Sequence, residues 1–191
     1  MLRNWRSIWP EMAAQPTVII LASGRGERFA VSGGQGSKLS ALISGKTVLQ
    51  WTLDAVKATG LPWHLEDAGH PGMGDSIAAA VRANPQSNGW LILPADLPMI
   101  SPHTILAVAD ALLHGALAAY PVQGWQRGHP VGFAASSGLK LQNLEGNQGA
   151  AGILSAQIAI EIIVDDMGCV TDIDTLAQLQ AVQEWVQTRS R

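Results

Sequence analysis

Short, wholly apolar runs alternate along this chain with longer stretches in which apolar residues recur every three or four positions. TVIILA at 17–22 is apolar and rich in β-branched residues, the pattern of a strand buried on both faces of a sheet. WLILP at 90–94 repeats that pattern, and strand-like pieces follow at 117–122, 130–134 and 158–164. Between them the period lengthens. In 48–58, Leu49, Leu53 and Val56 share one helical face. Asp75 is placed to cap a helix through SIAAAVRA, and Ser101 before Pro102 predicts an N-cap and first turn for a helix reaching about residue 117. A further helix is expected near 137–144, and a last one from about Asp174 through TLAQLQAVQEWVQT. Strands alternating with helices predict an α/β fold, a three-layer sandwich on a mostly parallel sheet. Ligands of such sheets sit beyond the carboxyl ends of the strands.

The first of those ends reads LASGRGERF, residues 21–29, with Lys38 nine residues on. Three phosphate-binding devices compete there. A dinucleotide fingerprint requires a third glycine where Phe29 stands, and no helix clearly starts after the loop. SALISGKT at 40–47 is one residue short of a P-loop, but its middle is apolar and stiff and no strand feeds it, so Lys46 reads as a turn residue after Gly45. The remaining device is a long open loop. Gly24 and Gly26 permit close backbone approach, Arg25, Arg28 and Lys38 supply positive charge, and Gly33, Gly34 and Gly36 allow closure over a substrate. The alternative is a flexible surface loop with incidental arginines.

Composition narrows the classes. The 191 residues are 47% apolar and 14% charged, enough for one core without disulfide or metal staples, so a single domain over 1–191 is expected, with 1–15 as an N-terminal extension. Cys169 is the only cysteine, which points to a reducing compartment and hence the cytoplasm. Pro10 and Glu11 break any signal-peptide core, and no apolar run approaches the ~20 residues of a membrane span. A net charge of −3 argues against general nucleic-acid binding. The distribution is more informative: residues 1–50 hold six Lys or Arg against two Glu, while the remainder holds six against thirteen acidic residues. A cationic segment on an acidic body suits a compact polyanion such as a triphosphate, with a metal ion held elsewhere.

Candidate residues follow from position. Asp96, in PADLPMIS, comes directly after a buried strand and between prolines, where it can bind Mg²⁺ or cap the turn. Asp172 and Asp174 precede the final helix, and one of them is expected to cap it. GHPGMGDS at 69–76 is a glycine loop entering a helix, a cradle for an anion or nucleotide. In GWQRGHPVGF, Arg127 and His129 occupy a turn before a strand, where His129 can meet a substrate phosphate or serve as a structural histidine. Trp63, Trp90 and Trp125 read as core or rim packing. No Ser-His-Asp order is present, the five histidines do not pair at metal-ligand spacing, and Cys169 has no basic neighbour, so hydrolase chemistry has little support.

Taken in order, LASGRGERF, SKL, GMGDSIAAAV, LPADLPMI, GHPVGF, GNQGA and TDIDTLAQL resemble the molybdenum cofactor nucleotidyltransferase family, the cytidylyltransferase branch most and the guanylyltransferases next. The resemblance runs from about Val18 to Leu179. It implies a nucleotide-diphospho-sugar-transferase-like, Rossmann-like fold, and transfer of CMP or GMP from CTP or GTP to the phosphate of a molybdopterin-type cofactor. It also implies Mg²⁺ as cofactor and a molybdoenzyme or its chaperone as a partner. On these positions, Leu21, Ala22, Gly24 and Gly26 line the nucleotide; Arg25, Arg28 and Lys38 hold the triphosphate; Asp96, with Asp174 as a second contact, binds the metal. Gly72, Gly74 and Ser76 border the base or ribose, and Arg127, His129 and Asn147 the acceptor. Arg25, Lys38 and Asp96 carry the catalysis.

Three departures from the family pattern shape what to expect. Only GLPWHLEDAGHP separates the 48–58 helix from GMGDS, which suggests a lost strand on that side and, with it, a non-catalytic binding role. Asn147 and Ala151 replace the aspartate and arginine of GDxGAR, which opens the acceptor to a sugar phosphate or another small phosphorylated metabolite. LASG matches neither the cytidylyl nor the guanylyl version of the base-selecting stretch.

Overall fold

The apolar run TVIIL becomes an interior strand, paired on both sides. The structure, a computed structural model, describes residues 15–24 and 26–189. In chain order its elements are β1 (Thr17–Leu21), α1 (Glu27–Val31), β2 (Leu42–Ile43), β3 (Lys46–Thr47), α2 (Val48–Ala58), β4 (Trp63–Glu66), α3 (Met73–Ala83), β5 (Gly89–Pro94) and α4 (Pro102–Leu113). They continue with β6 (Ala118–Gln123), β7 (Gln126–Arg127), β8 (Val131–Ala134), α5 (Gly138–Gln142), α6 (Ala151–Ser155), β9 (Ala159–Ile163) and α7 (Leu176–Arg189). The main sheet runs β4-β1-β5-β8-β6-β7, with β9 also on β6. β1 pairs in parallel with β4 and β5, and β6 with β9, while the β7–β8 ribbon runs against them. The fold is therefore the three-layer α/β sandwich with a mostly parallel mixed sheet.

Both sheet faces are apolar because both are covered. Val18, Ile20, Leu91 and Leu93 pack against Val56 of α2 and Ile105, Val108 and Leu112 of α4. Ile19, Trp90, Ile92 and Phe133 face the other way, onto Ile77 and Val81 of α3 and Leu141, Ile153 and Leu154 of α5 and α6. A third cluster joins Phe29 of α1, Ile43, Val48 and the α7 residues Leu179, Val182 and Val186. It clamps the charged loop to the body of the sandwich.

Several local expectations are corrected. The sheet has not lost a strand: β4 pairs with β1 from Trp63 to Glu66. Its WHLE sequence hides it, because an edge strand leaves side chains half-exposed and needs no apolar run. The ground for a non-catalytic role goes with that correction. A short helix, α1, does follow the loop, and its Phe29 is 2% exposed. Gly34 is fixed there, since a Cβ on it would lie 2.3 Å from the Phe29 ring. Ser32 Oγ donates to the Phe29 carbonyl and accepts from Leu176 N, so this segment is tied down at both ends. SALISGKT is the β2–β3 hairpin, with Ser44 and Gly45 both at positive φ. Its Lys46 pairs with Asp54 at 2.6 Å.

Asp75 does not cap α3. Gly72 holds the N-cap position and Asp75 falls in the first turn, where its charge suits the helix dipole. α4 stops at Leu113 rather than near 117, because Gly115 at φ 95° turns the chain out. Neither Asp172 nor Asp174 caps α7: Thr175 Oγ1 accepts from Gln178 N in that role. Trp90 is core, but Trp125 is fully exposed in the turn between β6 and β7. The N-terminal extension lies almost wholly outside the described residues, and none of the described helices is long and apolar enough to cross a membrane.

Candidate active site

The carboxyl ends of β1, β5 and β4 open into a cleft of about 950 Å³, roofed by the β7–β8 ribbon and the 145–151 loop. Lys38 is in its wall. A 3₁₀ turn over Lys38–Ser40, capped by Ser37 Oγ, directs the lysine inward, and only 9% of the residue is exposed. Its Nζ donates to Asp96 Oδ2 at 2.6 Å and to Asp174 Oδ1 at 2.7 Å. Arg28 reaches the same cluster from α1, with Nη2 2.7 Å from Asp174 Oδ2. Helix α1, the α1–β2 connection, the β5–α4 loop and the segment before α7 thus converge on one charged knot.

Electrostatics maintain that knot. Burial pulls the Lys38 ammonium down, but Asp96 and Asp174 outweigh it and hold its pKa above the ordinary value. Burial pushes Asp174 up, and hydrogen bonding and attraction from Lys38, with Arg28 behind, reverse the shift and keep the carboxyl below its usual range. Asp172 receives no such compensation: burial, then the nearby charge of Asp174, raise it. Asp172, one of the two expected cap candidates for the last helix, is the residue of the cluster that the family resemblance does not place in the site. The Asp-Ile-Asp spacing was the available signal, since alternate residues of an extended segment point the same way.

One carboxylate oxygen from each of Asp96, Asp172 and Asp174 lies within 4.8 Å of the others, the one such group among the described residues. Asp96 Oδ1 is buried with no hydrogen-bond partner. Three hard oxygen ligands, one of them unsatisfied, fit a divalent cation that keeps waters and shares phosphate oxygens. The residues present therefore suit the Mg²⁺ expected from the sequence or a cation of the same class.

The structure distributes the other expected residues unevenly. Leu21, Gly24, Gly26 and Gly72 line the cleft, as do Asn147, Arg127 and His129. Ala22 is not in the wall; its amide donates to the Glu66 carbonyl. Gly74 and Ser76 are buried, and Ser76 reaches the cleft only through a 2.7 Å hydrogen bond between its hydroxyl and that of Ser23. Glycine is required at 72 and 74 for packing. A Cβ on Gly72 would lie 2.1 Å from the Gly146 carbonyl oxygen, and one on Gly74 2.6 Å from that of Gln148. Arg25 lies outside the described residues.

On the ribbon side, the Arg127 guanidinium lies over the Tyr120 ring at 5.6 Å and is otherwise open. His129 is fixed through its amide, which donates to the Cys169 carbonyl at 2.9 Å. Burial lowers the pKa of its imidazole, so the ring is neutral near pH 7, and Nδ1 has no partner. At the far rim, His64 and His70 both turn Nε2 toward the buried Glu66 carboxylate, at 3.4 and 3.1 Å. Linear spacing does not pair these histidines; the turn after β4 does, and it brings His70 into the cleft wall.

Comparison with known proteins agrees with this architecture. Residues 18–161 match the MobA-like NTP transferase domain. The crystal structure of Rv0371c from Mycobacterium tuberculosis H37Rv superposes with a TM-score of 0.75 at 22% identity, over 91% of this chain and 100% of that one. The complex of that protein with manganese gives 0.70 at 20% identity, over 90% and 99%. Molybdopterin-guanine dinucleotide biosynthesis protein A from Archaeoglobus fulgidus gives 0.67 at 17%, over 90% and 99%. No curated protein matches the sequence.

Proposed function

From the premise that this chain belongs to the MobA-like NTP transferase family, we propose that it is a divalent-metal-dependent nucleotidyltransferase that moves CMP or GMP from CTP or GTP to the phosphate of a molybdopterin-type cofactor. The observation that carries this reading is Lys38 held between Asp96 and Asp174, beside Asp172, at the carboxyl end of the sheet. The manganese complex of Rv0371c favours the metal. The molybdopterin-guanine dinucleotide biosynthesis for which the Archaeoglobus protein is named favours the acceptor.

In the proposed reaction an acceptor phosphate oxygen attacks the α-phosphorus in line. The new P–O bond forms as the α–β bridge breaks, and pyrophosphate leaves with its electron pair. Such a step needs position and charge neutralisation more than a covalent nucleophile. Asp96, Asp172 and Asp174 would hold the metal, whose chemistry is to neutralise phosphate oxygens and orient them. Lys38 and Arg28 turn from their carboxylates to the triphosphate and offset the charge that collects on its oxygens. Gly24 and Gly26 let the backbone approach the phosphates, and Arg127 and His129 face the acceptor. His129, kept neutral, holds an acceptor oxygen without adding charge.

Pyrophosphate release from CTP and GTP, with Mg²⁺ or Mn²⁺ and purified molybdopterin, tests the reading. Metal-dependent multiple turnover is expected, and its absence with both nucleotides overturns it. Asn147 and Ala151 favour a second acceptor class, a sugar phosphate or other small phosphorylated metabolite. Faster turnover of a sugar-phosphate panel than of molybdopterin would select that class.

A further inference from the structure

The three carboxylates come from two separate loops, and something must hold those loops in register before any ligand arrives. Asp96 belongs to the β5–α4 connection; Asp172 and Asp174 belong to the strap between β9 and α7. The strap crosses directly over the connection. Gly168 sits so close that a Cβ there would lie 1.9 Å from the Met99 carbonyl oxygen. At the site itself the two segments are joined by one backbone bond, from Ile173 N to the Asp96 carbonyl at 3.0 Å.

The second tie is Asp166, and the reaction outlined above does not use it. Its Oδ2 accepts from Ser101 N at 3.0 Å and from Thr104 Oγ1 at 2.6 Å, the N-cap and a first-turn residue of α4. Its Oδ1 accepts from Gly168 N at 2.9 Å, which starts the 3₁₀ turn Met167–Cys169. Its own amide donates to Gln123 Oε1 at 2.7 Å, on the last residue of β6. The Asp166 carboxylate thus links the start of α4 to the strap, and its amide ties the same residue to the end of β6. The strap leaves this anchor, turns through Cys169, whose carbonyl receives the His129 amide, and delivers Asp172 and Asp174 to Asp96.

Resting on the metal-dependent nucleotidyltransferase reading, we infer that Asp166 is a positioning residue of the reaction: it sets the distance between the Asp96 loop and the Asp172–Asp174 strap, and so the affinity of the carboxylate cluster for its cation. Side chains that hold a metal's ligands in place change its affinity when removed, without touching it. Bonds to a charged acceptor are strong enough to carry that effect.

The test compares Asp166→Asn with Thr104→Val in the full chain. The asparagine keeps the volume but loses an acceptor face; the valine is isosteric and removes only the hydroxyl that donates to Asp166. Mn²⁺ affinity is read by electron paramagnetic resonance on folded protein, and amide hydrogen exchange is followed along 97–101 and 167–174. Mn²⁺ binding weaker by about tenfold in Asp166→Asn is expected, with a smaller loss in Thr104→Val and faster exchange confined to those two segments. Unchanged Mn²⁺ affinity in the folded variants overturns the inference, whatever happens to exchange or to the melting temperature. Should Asp166→Asn not fold, Thr104→Val decides alone. Should the wild type bind no Mn²⁺, the metal reading fails, and exchange in the two segments still decides whether Asp166 holds them.

Discussion

The two ends of the cleft are built by different means. The lysine end is a lattice of charge-assisted bonds: Lys38 on two carboxylates, Arg28 on one of them, and the strap stitched to the β5–α4 loop. The ribbon end is shaped mainly by backbone. Gly72 and Gly74 let the 145–148 loop rest on the start of α3, His129 hangs from the Cys169 carbonyl, and Arg127 and Asn147 are exposed. The nearly buried trio Lys38, Asp96 and Asp174 accepts few alternatives, because each unpaired member is costly in a poorly solvated place, while Arg28 joins it from solvent. A backbone frame with exposed side chains tolerates change. On the proposed reaction, the triphosphate would sit at the first end and the acceptor at the second.

The largest expected effect breaks the lysine end. Lys38→Met and Asp96→Asn should each lower turnover by at least about 100-fold. They should part in metal binding. Lys38 Nζ is bonded to two of the three carboxylates that would hold the cation, and its charge opposes a second cation beside it. Its removal should therefore tighten Mn²⁺ binding in the absence of nucleotide by about tenfold, whereas Asp96→Asn should weaken it. Mn²⁺ titration of both variants checks the signs, and looser binding in Lys38→Met would show that the lysine does not compete for the site.

Next in size is the ribbon end. Arg127→Ala removes an exposed cation and should raise the acceptor KM by about tenfold while leaving the nucleotide KM unchanged. An equal rise in both would erase the division between the two ends. Initial rates with each substrate varied in turn separate the outcomes.

Much of this division could be read from the chain before folding was considered. Buried strands announce themselves as apolar runs, so β1 and β5, and with them the loops carrying Gly24 and Asp96, were legible. Lys38 was legible as a lone cation among glycines. What stayed hidden depends on partners distant in sequence. β4 is an edge strand whose composition resembles a loop. The pairing of His64 and His70 with Glu66 requires the turn at 67–70. One of Asp172 and Asp174 is expected to cap the last helix because Asp before a helix usually does; the capping by Thr175 leaves both free for the cluster, Asp172 as well as the Asp174 already named as a metal contact. Gly72 and Gly74 looked like a phosphate cradle, and their requirement proves to be contact with the 145–148 loop.

That contact supplies a third prediction. Gly72→Ala places a methyl group against the Gly146 carbonyl, and neither backbone can withdraw without moving the other. Overpacking of this kind should destabilise the protein by about 1–3 kcal/mol and raise the acceptor KM. Mn²⁺ affinity at the other end should not change. Denaturant unfolding combined with a Mn²⁺ titration checks both halves.

The smallest effect concerns Cys169, which belongs to the strap running between the two ends. The thiol is buried, and burial, followed by the charge of Asp166, pushes it up to about 11. In the unfolded chain it titrates near ~8.5. Between those values the folded protein holds a proton that the unfolded chain has lost. Its contribution to stability is therefore complete below about pH 8.5 and declines as pH rises toward 11. Cys169→Ala should flatten that part of the stability profile, and the native thiol should resist iodoacetamide at pH 8 until the protein is unfolded. Rapid labelling of native protein would mean that the strap opens readily on its own, and the lysine end would then be no stiffer than the ribbon end it is contrasted with.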